Sequence, residues 1–179
     1  MSKLHQHLAS RQEAIAEAWR QKMLATLPER GAGFIGKQKD RFRNPMGATL
    51  TVGATDVTRA LFERVSKEEM EHRLDDLIHL RAVQGLAPSK SLAFIPELKG
   101  VIRDEIGDLN FPEGELAEID QAIDDILYLA FDMFVRCREQ IFELRARSMR
   151  DRSYKLMERA GLLWEEEPEK DSGMNRGES

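Results

Sequence analysis

Between residues 2 and 27 the large apolar residues Leu4, Leu8, Ile15, Trp19, Met23 and Leu27 fall mostly three, four or seven apart. That spacing predicts a helix over 2–27, which Pro28 either stops or follows. RGAGFIGKQKDRFRNP, Arg30 to Pro45, has three glycines and dense charge, and reads as the longest loop. MGATLTVGATDVTRALFERVS follows, opening on small and β-branched residues. No second strand of similar quality could pair with it, so it reads as loop and then helix. Thr55 or Asp56 is the expected N-cap, and Leu61, Phe62 and Val65 the buried face. Ser66 and Glu69 fit a capping box. The helix it opens runs to about Gly85, with Met70, Leu74, Leu77 and then Arg81 on its stripe. Arg81 therefore stands where an apolar residue is expected.

After GLAPS a helix starts near Ser89 or Ser91. Its stripe is Leu92, Ile95, Leu98, Val101 or Ile102, and Ile106. Pro96 should kink it, and Gly107, Asn110 and Pro112 should end it. The last pattern, Glu113 to about Arg159, is the longest. Leu116, Asp120, Ile123, Leu127, Ala130, Phe134, Cys137, Ile141 and Leu144 form a heptad-like seam. The whole chain reads as all-α, with about five main helices and a long C-terminal one.

Unbroken, that last helix would measure about 70 Å. A domain of this size is roughly 40 Å across. Either the helix breaks near Ser148 and its seam is ordinary core, or the seam is shared with a partner. A homodimer is the expected partner arrangement, with Leu127, Phe134, Cys137, Ile141 and Leu144 as candidate interface residues.

Composition narrows the function classes. The 179 residues suit one domain, expected over 1–160, with an acidic polar tail over 161–179 that reads as disordered. Net charge is −5, which does not favour nucleic acid as a partner. One cysteine, Cys137, allows no internal disulfide and no Cys-rich zinc site. No apolar run approaches the roughly 20 residues of a membrane span, and the N-terminus lacks a signal-peptide core. A cytoplasmic setting is the expectation.

Candidate chemistry is sparse. Asp76 and His79 give D-x-x-H, but a di-iron bundle needs two such sets and further carboxylates. No metal site is expected. His79 could be an axial haem ligand, the cofactor alternative to a protein with none. His5-x-His7 reads as a surface pair. Asp120 and Asp124 lie a turn apart, without a nucleophile, metal cluster or phosphate loop beside them. Their simplest role is to neutralise Arg81, since a buried guanidinium needs a partner. Failing that, the carbonyls of the Gly85–Ser89 turn would serve. Arg145, Arg147, Arg150, Arg152, Lys155 and Arg159 make a basic run that reads as a solvated face or a contact for the acidic tail.

HLRAVQGLAPSKSLAFIPELKGVIRDEI, residues 79–106, resembles one family. Arginine, a short apolar-Gln run, Pro-Ser and then F-x-x-x-L-K-x-x-I-R mark the N-terminal domain of RsbR/RsbRD-type co-antagonist proteins. IDQAIDDILYLAFDMFVRCREQI is similar to that family's long final helix, and Trp19 fits its first. The likeness covers roughly residues 4–150. It implies a globin-like helical bundle without haem that dimerises through its last helices. It also implies a non-enzymatic sensory or regulatory module that acts on a protein partner. His79, Arg81 and Gln84 become candidates for signal input. The family usually joins this domain to a C-terminal regulatory domain. The short stretch after the bundle here leads to the expectation that such a domain is absent.

Overall fold

The computed structural model describes residues 3–27 and 45–162. These fold into seven helices and no strand: α1 Lys3–Ser10, α2 Gln12–Ala25, α3 Pro45–Glu63, α4 Lys67–Val83, α5 Pro88–Leu92, α6 Phe94–Ile106 and α7 Glu113–Arg159. The fold is all-α with a long C-terminal helix, as the apolar periodicity predicts. Two compact units are distinguished, Met1–Ile141 and Phe142–Ser179. The expected loop over 30–45 lies outside the described residues except for Pro45, and the expected tail lies outside them beyond Leu162.

Three helix boundaries differ from the sequence reading, each for a local reason. The single helix over 2–27 is two. Ser10 donates its hydroxyl to the His7 carbonyl (2.6 Å), and the chain turns at Arg11 before α2. The segment read as loop before Thr55 is helical from Pro45. Its threonines are accommodated because Thr49, Thr51 and Thr55 each donate a hydroxyl to the carbonyl four residues back. Its small residues form the packing face. A Cβ on Gly53 would lie 2.4 Å from Leu77 Cγ, so the glycine lets α3 and α4 approach closely. The helix expected to kink at Pro96 is instead divided at Ala93. Pro96 has no N–H for the Leu92 carbonyl four residues back, and its ring crowds that carbonyl. The chain restarts as α6, which places Pro96 in a first turn, where proline is tolerated.

The capping box forms as expected, with Ser66 Oγ accepting from the Glu69 N–H at 3.3 Å. Gly107 ends α6 with a φ of 54°, a conformation glycine adopts without strain. The core of the Met1–Ile141 unit gathers Leu4, Leu8, Ile15, Trp19 and Met23 with α3, α4 and α6. From α7 it takes Ile119, Ile123, Ile126, Leu129, Ala130, Met133 and Phe134.

Candidate functional site

Arg81 is held where its stripe position puts it, 1% exposed on the last turn of α4. Its partners are not the expected ones. Nη2 donates to the Met23 carbonyl and to Thr26 Oγ1, both at 3.0 Å. Its guanidinium carbon sits 5.0 Å from the centre of the Phe94 ring. Asp120 and Asp124 are taken elsewhere: Arg103 donates to Asp120, and Lys99 Nζ donates to Asp124 at 2.6 Å. Nor does the Gly85–Ser89 turn bond Arg81. The physical reason is the end of α2. Its last carbonyls carry the negative end of a helix dipole, which a cation satisfies without a carboxylate. The aromatic face adds to this. Burial pushes the guanidinium down to about 10, still well above neutral pH, so the charge persists.

Around this cation the fold concentrates polar groups inside. Trp19 Nε1 donates to the Phe94 carbonyl at 2.6 Å, locking α2 to the start of α6. Arg81 Nε and Nη1, both amide atoms of Gln84, and Ser91 Oγ are buried without a hydrogen-bond partner among the described residues. Gln84 caps α4 by its backbone alone. His79, the third candidate for signal input, is exposed on α4. Its Nδ1 lies 3.7 Å from Cys137 Sγ. Burial, with help from Asp75, raises the Cys137 thiol above its ordinary range, so it is protonated at neutral pH. An exposed ring against a thiol is a poor fit to an axial haem ligand. Among the described residues no group of three or more His, Cys, Asp or Glu is placed to hold a metal. His5, expected at the surface, is buried and bonds the Phe62 carbonyl.

The candidate interface residues divide. Phe134 is buried in the chain's own core, so it is not available to a partner in this fold. Leu127, Cys137 and Ile141 are half-buried against that core. Leu144 is exposed. The seam read from the sequence is therefore largely core as far as Ile141. The helix itself does not break at Ser148.

Two features escaped the sequence reading. One is a groove of about 1060 Å³ within the Met1–Ile141 unit, formed by the end of α3, the start of α4 and the first half of α7. Phe62, Val65, Met70, Ala122, Ile126 and Leu129 give it apolar surface, and Glu118, Asp125 and Asp132 line its α7 side. Glu118 is engaged by Arg64 at 2.8 Å. The seven-residue spacing of those three acids was a visible signal for one helical edge. The other feature lies in the stretch Phe142–Arg159, exposed throughout as the solvated-face reading of its basic run expects, and it is apolar. It carries large apolar side chains at Met149, Tyr154, Leu156 and Met157. Phe142, Met149 and Leu156 recur at seven residues, one position away from the seam that the sequence reading followed.

Comparison with known proteins gives the chain its family. The model for "RsbT co-antagonist protein rsbRD N-terminal domain" matches residues 13–149. An uncharacterized protein of Archaeoglobus fulgidus is 31% identical over 91 residues, covering 50% of this chain and 58% of that relative. The match thus spans less than two thirds of the relative's length. No solved structure matches. The family match takes in α2 through most of α7, including Arg81 and the groove, and the chain belongs to the family of RsbT co-antagonist protein rsbRD N-terminal domains.

Proposed function

We propose that this chain is a non-catalytic regulatory module of the stressosome-related type, acting by homodimerisation and by contact with a regulatory protein partner. The observation that carries this reading is the Phe142–Arg159 stretch. Its large apolar side chains are open to solvent, Met149 at 70% and Leu156 at 64%. A helix of about 18 residues gains little stability in water from propensity alone, so its packing partner is expected outside the chain's own core. The co-antagonist family supports a partner-directed role. The paired acids offer no free acid-base couple, since Asp120 and Asp124 each bind a cation.

The input side of the module is proposed at Arg81 and Gln84, with His79 at the adjoining surface. The support is the group of buried polar atoms there that have no partner among the described residues. A ligand or a shift of α2 against α4 would change how those atoms are satisfied. The module works without haem or a resident metal, and in the cytoplasm. No helix among the described residues is long and apolar enough to cross a membrane.

The test is affinity capture from the source cells with the full chain and with M149E/L156E as bait. A regulatory protein retained by the first and lost with the second supports the reading. Equal capture by both contradicts it. An absorbance spectrum and elemental analysis of the purified chain should show no stoichiometric haem or metal. About one metal or haem per chain, lost in H79A, would favour a cofactor-binding module instead.

A further inference from the structure

We propose that Arg81, Gln84 and Ser91 form a buried site for a small oxyanion that keeps one O–H group, the chemistry that bicarbonate and short 2-hydroxy acids share. This rests on the reading of Arg81 and Gln84 as the input side of the module, and it names the class of the input. Charge is the first argument. Arg81 is 1% exposed, and among the described residues no carboxylate pairs with it. The end of α2 supplies roughly half a negative charge against the full positive charge of the guanidinium. The Phe94 ring, 5.0 Å from the guanidinium carbon, adds only the partial negative charge of an aromatic face. Water would satisfy the free N–H groups but would not supply the missing charge. A buried cation left short of charge favours an anion over water.

The hydrogen bonds decide which kind of anion. Nη2 of Arg81 is used by the Met23 carbonyl and Thr26, whereas Nε and Nη1 have no partner among the described residues. Gln84 follows Arg81 by three residues and keeps helical backbone angles, so the stripe of Met70, Leu74, Leu77 and Arg81 runs on through it. Both of its amide atoms are buried and unpartnered among the described residues. One of them is a donor and the other an acceptor, whichever way the amide is turned. Ser91 is fully buried, and its Oγ is likewise unpartnered among the described residues. It stands three residues before Phe94, and Ala93 between them keeps helical angles, which sets Ser91 and the Phe94 ring on one side of the chain.

The unmet groups are therefore the N–H donors of Arg81 and Gln84, the Ser91 hydroxyl, and one obligate acceptor, Gln84 Oε1. Nitrate or acetate answers the charge and the donors but leaves that acceptor unmet. An oxyanion with one O–H answers all of them. Its oxygens accept from Arg81, Gln84 Nε2 and Ser91, and its O–H donates to Gln84 Oε1. The enclosed position of these side chains restricts the ligand to a few heavy atoms. Gly85 and Ala87, in the turn after Gln84, are exposed, so the site lies close to the surface.

The test is calorimetric titration of the full chain at mildly alkaline pH and constant ionic strength, with bicarbonate against nitrate and glycolate against acetate. The members of each pair carry the same charge and differ chiefly in the O–H. At least one O–H-bearing anion should bind saturably, about 10-fold or more tighter than its control. R81M should abolish that binding. Q84L and S91A keep the cation, and each should weaken binding by about 5-fold or more with helicity unchanged. Equal binding of an O–H-bearing anion and its control, binding that survives R81M, or no binding in either pair would overturn the site. If R81M loses helicity, unchanged affinity in both Q84L and S91A overturns it instead. Failure of the site leaves the input reading in place, because a shift of α2 against α4 would still serve it. The input reading has its own readout, capture of the regulatory protein with and without the bound anion. Equal capture alongside Arg81-dependent binding would remove the input reading and keep the site.

Discussion

α7 behaves as two different helices on either side of Ile141. Before it, Ile119, Ile123, Ile126, Leu129, Ala130, Met133 and Phe134 are buried. After it, no residue through Arg159 is buried. Both parts are amphipathic, yet only the first finds its apolar partners within its own unit. The difference separates two kinds of stability. Burying a large aliphatic side chain stabilises the fold by about 1.5–3 kcal/mol at any protein concentration. Apolar residues that await another molecule contribute only when that molecule is present. A change in the first part should therefore move the folding midpoint of dilute protein, whereas a change in the second should move an association constant.

The largest expected effect lies where α2, α4 and α6 meet. Phe94 is buried, lies 5.8 Å ring to ring from Trp19 and receives the Arg81 cation on its face. F94A should cost about 3–5 kcal/mol of folding stability, measured by urea denaturation and unchanged across a hundredfold range of concentration. A concentration-dependent loss would break the comparison.

Next in size is Arg81, where two substitutions separate charge from shape. R81K keeps a buried cation but loses the planar donor set, and should cost about 2–3 kcal/mol from the charge-assisted bonds to Met23 and Thr26. R81M also loses them, but it removes the cost of burying a charge that has no carboxylate. R81M should therefore be the more stable of the two. The reverse order in a denaturation series would mean that a carboxylate does serve Arg81.

G53A is expected to be smaller, about 1–3 kcal/mol, because the added methyl pushes Leu77 out of its packing against α3. Calorimetry that finds no loss would show that α3 and α4 can separate at little cost. Smallest of all, M149S/L156S should change the stability of dilute protein by less than about 0.5 kcal/mol. A larger loss would mean that these side chains pack within their own chain.

Much of this was legible in the residues. The seven-apart and four-apart rows of α4 and α7, the Ser66–Glu69 box and the Gly107 stop each act through local geometry, which a sequence displays directly. α3 was half missed because Gly47, Gly53 and three threonines look unlike a helix until their neighbour is known. Gly53 makes sense only against Leu77, and each threonine only through the carbonyl four residues back. Arg81 was correctly read as a buried cation, but its partners came from α2, 55 and more residues earlier in the chain. A stripe says that a charge is buried, not which distant helix end will satisfy it. The same limit applies to α7, whose seam looks continuous because periodicity does not say where the core stops.

A second copy covering the exposed half of α7 is the central element of the proposed function. Sedimentation equilibrium of the full chain from micromolar to millimolar concentration tests this most directly. The expected result is a mass about twice 20.5 kDa for the unmodified chain and one equivalent for M149E/L156E, with equal helicity for both. A single-chain mass for the unmodified protein throughout that range would contradict it.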